Sequence, residues 1–339
     1  MSFWDHNPSL AKHLAAVDEK LQSAANCKEK LIQEAVTELI NAPGKRIRSA
    51  VTLLSASFGT FDESTISVAA AIELLHMATL VHDDIIDEVK LRRGVPTTQS
   101  RFGKDCAVYT GDWLFVKSFQ LLCEAKATEH LEPLARAMQR ICEGEVNQYS
   151  NRYIPRPSVL AYLRRIRGKT AILFALAAAV GAKQAQCQEK EVRLLARYGL
   201  YLGMAFQIQD DILDLVSTEE KMGKPVGNDI KEGVYTLPII YTLMNSQYSE
   251  KLKDLLAQET TQETLEGITD LVIKAKGIEQ ARKLLQKYLT KAMDMLQQLP
   301  PNSNRETLQL LLEVPFQSTD PLQAWQKSPK KRRFSTRTA

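Results

Sequence analysis

The sequence predicts an all-α fold, and three observations carry this prediction. Apolar residues recur at helical spacing from one end of the chain to the other. Glycine and proline occur between the periodic stretches, where they end helices. No stretch alternates between apolar and polar residues as a half-buried strand does, and no Asn-Gly hairpin signal occurs. We therefore expect a helical domain over residues 1–316, followed by a disordered basic tail over residues 317–339.

The individual helices follow from the same periodicity in chain order. The stretch 66–88 is rich in Ala, Leu and Glu, which favour helices. The apolar run at residues 171–182 has 12 residues, fewer than the ~20 that cross a bilayer, so we expect a buried core helix. The remaining periodic stretches are 104–126, 130–150, 158–181, 189–217, 234–246, 249–258, 263–275, 277–298 and 304–314. The breakers between the helices are Pro43, Gly44, Gly59, Gly94, Pro96, Pro155, Pro157, Gly223, Pro225, Pro300 and Pro301.

The bulk composition is that of an ordinary globular protein. Of the 339 residues, 44% are hydrophobic and 25% are charged. Five cysteines are scattered without a Cys-x-x-Cys pair, which favours reduced thiols over a disulfide framework or a zinc site. The first 14 residues lack a basic start followed by an apolar stretch, so no signal peptide is expected. We expect a cytoplasmic protein, with peripheral contact to a membrane as an alternative.

The positive charge of the chain is concentrated in the tail. Residues 317–339 contain six basic residues and one acidic residue, a net charge of +5. Because the whole chain carries +4, the body carries −1, which argues against a nucleic-acid-binding protein. The tail is either a solvated end or a weak contact to anionic lipid, worth ~1 kcal/mol per basic residue near the surface.

Two acidic clusters share the spacing Asp-Asp-x-x-Asp, in the strings HDDIIDEVKLRR at 82–93 and FQIQDDILD at 206–214. On a helix, the first and last carboxylates of such a cluster lie on one face, and the middle one borders that face. Two such helices facing each other would place all six carboxylates around one opening, where repulsion raises their pKa values. Carboxylate oxygens suit a hard cation such as Mg²⁺, although ordinary solvated helix ends remain an alternative. The six residues are Asp83, Asp84, Asp87, Asp210, Asp211 and Asp214.

Basic residues near the clusters indicate what the metal ions would hold. Arginine offers fork-shaped donors and lysine a point charge, and both suit the oxygens of a diphosphate. The inferred ligand is one diphosphate bridged by metal, or two diphosphates of which the second is held by cations. The basic residues concerned are Lys45, Arg46, Arg48, Arg92, Arg93, Lys169, Lys224 and Lys231.

Five strings in this order, GKRIR, HDDIIDEVKLRRG, RGKTA, FQIQDDILD and GKPVGNDIKEG, resemble those of all-trans polyprenyl diphosphate synthases. The resemblance runs through roughly residues 30–300 and is closest to the large catalytic subunit of hexaprenyl and heptaprenyl synthases. It implies a single large helical bundle of the isoprenoid synthase type with a central cavity. It also implies condensation of isopentenyl diphosphate with an allylic diphosphate. The tail extends past the usual end of the family.

The resemblance also implies roles for single residues. The six aspartates would bind up to three Mg²⁺ ions on the allylic diphosphate. The residues that would contact this diphosphate are Arg92, Lys169, Gln207 and Lys224, with Thr170 near the reacting end. The residues that would hold isopentenyl diphosphate are Lys45, Arg48, His76 and Arg93. The roles of Asp229 and Lys231, which follow the second cluster, are left open.

Small residues upstream of the first cluster bear on the length of the product. Ala78 and Thr79 lie about one turn before Asp83, and Leu75 lies one turn further. Bulky aromatic side chains there would block a growing prenyl tail, as the resemblance implies for short-chain members of the family. We expect six to seven isoprene units, destined for a quinone side chain. Alternatively, Ala78 serves close helix packing, and the enzyme makes farnesyl or geranylgeranyl diphosphate.

Other interpretations of the sequence stay open at this point. Glu73-x-x-His76 matches one half of a di-iron bundle motif, but no second copy occurs. A class I terpene cyclase shares the first acidic cluster, although its second metal motif usually differs from Asp-Asp-x-x-Asp. A non-catalytic subunit usually lacks one cluster, whereas this chain has both. The resemblance is compatible with a homodimer and with a heteromer that includes a small accessory subunit.

Overall fold

The computed structural model describes residues 4, 7–92, 94–216 and 227–313. The first helices are α1 (Pro8–Ala24), α2 (Lys30–Asn41), α3 (Ile47–Ala56), α4 (Ser64–Ile86), α5 (Thr98–Phe102), α6 (Lys104–Glu124) and α7 (Leu131–Ser150). They are followed by α8 (Val159–Ile166), a π-helical turn (Arg167–Ala171), α9 (Ile172–Gln184) and α10 (Glu189–Val216). The remaining helices are α11 (Asn228–Lys231), α12 (Leu237–Leu243), α13 (Ser249–Leu256), α14 (Gln262–Lys274), α15 (Gly277–Gln297) and α16 (Ser303–Glu313).

The all-α prediction is confirmed, with one small addition. A 3₁₀ turn (Thr128–His130) leads into α7, and two short antiparallel strands, β1 (Leu91–Arg92) and β2 (Val95–Pro96), follow the first acidic cluster. The sequence analysis expected no strand, because two residues are too few to show alternation. Gly94 makes the turn between them with φ +78°. Helices α1 and α2 were not assigned from the sequence. The predicted tail lies outside the described residues.

Helix α4 is the central helix of the bundle. It packs against α6, α3, α1 and α9, so side chains are buried around much of its circumference. Three consecutive alanines, Ala69, Ala70 and Ala71, are fully buried and allow neighbouring helices to approach closely. Within the described ranges, α4 is also the one helix long and apolar enough to cross a membrane. Its most apolar stretch is 72% buried inside the bundle, as expected of a core helix.

Helix α10 is the second long helix of the core, and close backbone contacts fix its position. It packs against α9 and α15, while α9 packs against α3. A Cβ atom at Gly199 would lie 2.4 Å from the carbonyl oxygen of Phe174, and one at Gly181 would lie 2.1 Å from that of Thr52. Only glycine allows these approaches, so the α3–α9–α10 layer has little freedom to shift.

The connection between α7 and α8 is tied to the segment that follows the second acidic cluster. The backbone N–H of Tyr153 donates to the carbonyl of Gly233 at 2.9 Å. The Tyr153 hydroxyl donates to the carbonyl of Lys231, also at 2.9 Å. Gly233 adopts φ +71°, where a side chain would be strained and would also strike the Tyr153 ring. The bundle is thereby closed on the side where both acidic clusters lie.

Candidate active site

A small polar cleft opens between the acidic ends of α4 and α10. It receives side chains from both clusters, from α7, α8 and the π-helical turn, and from the segment after α10. The residues that line it are Asp87, Gln148, Arg165, Ile166, Lys169, Gln207, Asp210, Asp211, Asp229, Glu232, Val234 and Thr236. The structure therefore brings together members of the two clusters, which are more than 120 residues apart in the sequence.

The first cluster is engaged by two arginines. Asp84 is buried, and its Oδ1 accepts from Arg92 Nε at 2.9 Å and from Arg92 Nη2 at 2.7 Å. Asp87 caps the C-terminus of α4, and its Oδ1 accepts from Arg152 Nη2 at 2.7 Å. The C-terminal end of a helix carries partial negative charge, so aspartates at this place need nearby cations. The hairpin β1–β2 supplies Arg92 and the α7–α8 connection supplies Arg152.

Asp83, the first member of this cluster, is influenced by charges of both signs. Burial raises the pKa of its carboxyl to about 7, and the charges of Glu145 and Asp87 add to this rise. The cations Lys169 and Arg92 act in the opposite direction and limit the rise in this pKa. Lys169 itself donates to Glu145 Oε2 at 2.9 Å. Burial is therefore the chief cause of the raised pKa of Asp83, and the nearby charges of both signs act against each other.

In the second cluster, Asp211 is held by uncharged donors. Its Oδ2 accepts from the Tyr162 hydroxyl at 2.6 Å, and its Oδ1 accepts from Gln207 Nε2 at 2.7 Å. Thr170 Oγ1 donates to Gln207 Oε1 at 2.6 Å, which orients the amide group. Burial and then the charge of Asp229 raise the pKa of Asp211 to about 7, against the two hydrogen bonds, which lower it. Asp211 is positioned by a chain of hydrogen bonds without a cation in it.

The other two members of the second cluster differ in exposure. Asp214 is buried, its carbonyl accepts from Gly227 N at 2.9 Å, and its Oδ2 accepts from the backbone N–H of Asp229 at 3.3 Å. Asp210 is partly exposed and lines the cleft. The six aspartates thus divide into two groups. Those that are partly exposed are Asp83, Asp87 and Asp210, and those that are buried are Asp84, Asp211 and Asp214.

Arg92 lies between the two clusters. Burial by itself would lower the pKa of its guanidinium, but the hydrogen bond to Asp84 and the charges of Asp84, Asp83 and Asp210 raise it overall. One arginine therefore interacts with carboxylates of both clusters and stays charged. The predicted site residues that fall outside the described part of the chain are Arg93 and Lys224.

A further carboxylate, Glu232, borders the cleft beside the first cluster. Burial, followed by the charges of Asp87 and Asp229, raises its pKa to about 7. Arg152 Nη2 lies 3.8 Å from Glu232 Oε2, and Asn228 donates a hydrogen bond to Glu232 Oε1. Arg152 thus faces two carboxylates that come from opposite sides of the cleft.

Sequence reasoning did not identify Arg152, Tyr162 or Glu145 as parts of this site. Glu232 stands in the string GKPVGNDIKEG and could have been found there. Arg152 and Tyr162 belong to none of the five strings. Their partners lie 65 and 49 residues away in the sequence, so no local pattern could reveal these contacts. Only the packing of α7, α8 and α10 brings them to the aspartates.

The residues predicted to hold isopentenyl diphosphate lie at the start of α3 and on α4. Lys45 is exposed, and its carbonyl accepts from Trp4 Nε1 at 2.8 Å. The guanidinium carbon of Arg48 lies 4.4 Å from the centroid of the Phe174 ring. His76 is half-buried on α4. The role of these residues in holding isopentenyl diphosphate stays a prediction.

The neighbouring Arg46 and Glu73 serve the fold. Arg46 Nε donates to Asp18 at 3.0 Å, and Arg46 Nη2 donates to the carbonyl of Ile40 at 2.6 Å. Buried Glu73 accepts from Ser49 Oγ at 3.0 Å and lies 3.6 Å from Arg46 Nη1. Glu73 is therefore committed to a structural ion pair, which argues against the di-iron interpretation of Glu73-x-x-His76.

The residues predicted to set product length lie along α4 before the first cluster. Leu75 and Ala78 are fully buried. Thr79 is half-buried, and its hydroxyl donates to the carbonyl of His76 at 2.8 Å. The burial of Ala78 fits both a narrow channel and close helix packing, so the predicted role of this residue stays a prediction.

The donor chemistry of the cleft fits a hard divalent cation. Within the described ranges, no three His, Cys, Asp or Glu side chains lie close enough together to hold one metal ion. The cleft is nevertheless lined by more carboxylates than cations: Asp87, Asp210, Asp211, Asp229 and Glu232 against Arg165 and Lys169. A divalent cation would offset this negative charge, and oxygen-only ligands suit Mg²⁺.

Comparisons with known proteins agree with this geometry. Residues 29–272 match the family model described as "Polyprenyl synthetase". Heptaprenyl diphosphate synthase component 2 of Geobacillus stearothermophilus is 40% identical over 88% of this chain and 93% of its own length. Geranylgeranyl diphosphate synthase of Saccharolobus solfataricus is 34% identical over 84% of this chain and 89% of its own. The crystal structure of heptaprenyl diphosphate synthase from Staphylococcus aureus superposes with a TM-score of 0.85, at 34% identity, covering 90% of this chain and 96% of the other.

Proposed function

Because the chain belongs to the polyprenyl synthetase family and is a prenyltransferase, we propose that its cleft condenses isopentenyl diphosphate with an allylic diphosphate such as farnesyl diphosphate. The observation that carries this proposal is the convergence of two aspartate clusters around one cleft, which Lys169 lines and beside which Arg92 pairs with Asp84. Carboxylates and cations in alternation suit a ligand with many anionic oxygens and the metal ions that accompany it.

The charged side chains would act on the leaving diphosphate. As the allylic C–O bond breaks, negative charge grows on the diphosphate, and Arg92 and Lys169 stabilise that charge from fixed positions. Magnesium held by Asp83, Asp87 and Asp210 would supply a Lewis acid at the same oxygens. Buried Asp84 would hold Arg92 in place, and buried Asp211 would orient Gln207 at the wall of the cleft.

The new carbon–carbon bond forms when the double bond of isopentenyl diphosphate attacks the allylic cation. The two substrates must lie side by side, because water would otherwise trap the cation. Loss of a proton from the condensed product, to the departing diphosphate, restores a double bond and adds one five-carbon unit. Thr170, whose hydroxyl donates to Gln207, would lie near the reacting end, as its place in the string RGKTA implies.

For the product, we propose an all-trans chain of about six to seven isoprene units that serves quinone synthesis. Support comes from small residues at 78 and 79 and from relatives named as heptaprenyl diphosphate synthases. A shorter product is the second candidate, because a geranylgeranyl diphosphate synthase is 34% identical to this chain. Ala78→Phe tests the first proposal, since it should shorten the product. Ala78→Ser, which adds much less volume than Ala78→Phe, serves as the matched control.

The assembly is proposed from the same relatives. The Geobacillus stearothermophilus relative is named component 2, which favours a heteromer with a second, smaller subunit over a homodimer. The homodimer stays the alternative. A cytoplasmic location, with the basic tail as a weak lipid contact, is part of the proposal.

The test uses the purified full chain with Mg²⁺, farnesyl diphosphate and labelled isopentenyl diphosphate, and resolves products by chain length. A product of six or seven units supports the proposal as stated. Products that stop at three or four units would refute the long-chain part. Activity that appears only after addition of source lysate supports the heteromer. No product under either condition would refute a catalytic role and leave a regulatory subunit.

A further inference from the structure

One stretch of the chain has an unusual charge distribution. Residues 146–188 contain seven lysines and arginines and no aspartate or glutamate, although the chain has 40 acidic residues in all. Four of the seven cations are used inside the protein or lie away from α8. Arg152 and Lys169 pair with cleft carboxylates, and Arg165 donates to the carbonyl of Tyr235 at 3.1 Å. The other three, Arg156, Arg164 and Arg167, are exposed.

Helix α8 has one side that packs against the cleft and one side that faces solvent. Tyr162 and Ile166 are buried and face the cleft wall, where the Tyr162 hydroxyl meets Asp211. Leu160, Arg164 and Arg167 follow each other at spacings of four and three, so they share the opposite, solvent-facing side. In the part of the chain that the structure describes, Arg156, Arg164 and Arg167 take part in no side-chain ion pair or hydrogen bond.

Large apolar side chains are exposed among these arginines. Leu160 is 60% exposed, Tyr153 is 63% exposed and Ile154 is 39% exposed. Tyr153 is held in its outward position by its hydrogen bonds to the segment 231–233. Exposed aliphatic and aromatic groups beside cations form an amphipathic surface, which is costly in water and is usually covered in function. We name this surface the α8 face, and its residues are Tyr153, Ile154, Arg156, Leu160, Arg164 and Arg167.

We propose that the α8 face docks on an anionic lipid bilayer. The charge complementarity is direct, because the stretch 146–188 has no acidic residue to repel lipid phosphates. Leu160 and Ile154 would enter the boundary between headgroups and acyl chains, while the arginines would extend along the surface to the phosphates. Nucleic acid would use the cations but would leave the aliphatic side chains exposed, so lipid fits the whole surface better.

Docking on this face would place the bilayer on the outer side of α8, whose inner side lines the cleft. A helix is about 10 Å thick, so the cleft would lie close to the membrane surface. A lipid product that leaves the cleft would then have a short path to the bilayer. The inferred lipid contact would serve the proposed function, but lipid binding by the α8 face does not require that the cleft be catalytically active.

The test measures sedimentation of the full chain with vesicles of phosphatidylcholine alone or mixed with phosphatidylglycerol. The central variant is Arg156→Gln with Arg164→Gln and Arg167→Gln. Each cation near an anionic surface contributes about fivefold to partitioning, so this variant should bind the mixed vesicles about a hundredfold more weakly. The matched control is Arg136→Gln with Arg140→Gln and Arg193→Gln, which removes the same charge from exposed ion pairs. The control should bind like the wild-type chain.

A second variant tests the apolar part of the surface without changing charge. Ile154→Gln with Leu160→Gln should weaken binding by about a hundredfold, about tenfold for each of the two aliphatic side chains withdrawn from water. Because all these positions are exposed, the variants should keep the helical circular dichroism of the wild-type chain. The tail is present in every variant, so its contribution cancels.

Three results would overturn the inference. The first is equal binding of the two triple variants to the mixed vesicles. The second is wild-type binding that does not depend on phosphatidylglycerol. The third is a change of oligomeric state in the α8-face variant with unchanged vesicle binding, which would identify a protein interface instead. Chain elongation in vesicle-free buffer is measured separately, so the proposed function and the lipid contact can fail independently.

Discussion

The two aspartate clusters have the same spacing in the sequence, but the protein neutralises them in different ways. In the first cluster, Asp84 and Asp87 pair with the arginines Arg92 and Arg152. In the second cluster, Asp211 accepts hydrogen bonds from two uncharged side chains, Tyr162 and Gln207. Two buried aspartates from identical motifs therefore have different donors: Asp84 has an arginine, and Asp211 has a tyrosine and a glutamine.

The position of each cluster in its helix explains the difference. The first cluster ends α4, where the negative end of the helix dipole and a following loop favour arginine. The second cluster lies before the end of α10, which continues to Val216, and buried side chains of neighbouring helices surround it. A buried charged pair is costly to desolvate, whereas a tyrosine hydroxyl brings a donor without a second charge.

The largest effect should come from the partly exposed carboxylates, which both clusters share. Asp83→Asn and Asp210→Asn should each lower the rate of isopentenyl diphosphate incorporation by about a hundredfold to a thousandfold, because each removes charge that faces the diphosphate. Asp254→Asn, an exposed aspartate on α13, is the control. Loss of activity for Asp83→Asn alone would show that the clusters are unequal in catalysis as well as in structure.

The second prediction concerns the neutral donor of the second cluster. Tyr162→Phe should lower the free energy of unfolding by about 1–3 kcal/mol, because a buried carboxylate loses its donor. It should also weaken binding of Mg²⁺ with inorganic pyrophosphate, measured by calorimetry, by about tenfold. The positioning of Asp211 would then be less well defined.

A matched control exists for this variant. Tyr198 is equally buried, and its hydroxyl donates to the carbonyl of Leu308 at 2.7 Å. Tyr198→Phe should cost stability and leave pyrophosphate binding unchanged. Equal binding by both variants would mean that Tyr162 supports the fold alone.

The third prediction concerns the ionic partner of the first cluster. Arg152→Gln should lower the unfolding free energy by about 1 kcal/mol, because the pair with Asp87 is partly exposed. Addition of Mg²⁺ should then raise the melting temperature of the variant more than that of the wild-type chain, since a competing cation is gone. Arg140→Gln, in an exposed pair with Glu143, is the control. An equal shift in all three proteins would contradict this competition.

The smallest effect should come from a buried titratable group outside both clusters. His130 is 1% exposed, and its Nε2 lies 2.8 Å from Gln184 Oε1. Burial lowers the pKa of His130 below its ordinary 6.5, so the unfolded chain binds a proton more readily than the folded chain. Stability from this group is present above pH 6.5 and is lost as the pH falls through the lowered pKa.

The measurement is the unfolding free energy as a function of pH in the wild-type chain and in His130→Gln. Below pH 6.5 the wild-type chain should lose up to about 1.4 kcal/mol per pH unit relative to the variant, which has no group to titrate there. Parallel curves would show that folding does not lower the pKa of His130. The effect of burial on the cluster carboxylates would then lack this independent support, and the contrast between the clusters would rest on their hydrogen-bond partners.

Much of the fold could be predicted from the sequence because helical periodicity is a local property. The assigned stretch 189–217 corresponds to α10 at Glu189–Val216, and 66–88 corresponds to α4 at Ser64–Ile86. The pair β1–β2 was missed, since two residues carry no periodic signal. The π-helical turn inside the predicted helix 158–181 was also missed, because it is set by packing against α7 and α10.

By itself, the sequence determined that two helices end in the same acidic spacing and that cations accompany them. Spacing along a helix decides which carboxylates share a face, and this needs no partner. Only the tertiary structure decided that Asp84 meets Arg92, that Asp87 meets Arg152 and that Asp211 meets Tyr162. The donor that reaches a carboxylate depends on which distant elements pack beside it, and burial there sets both its protonation and its role.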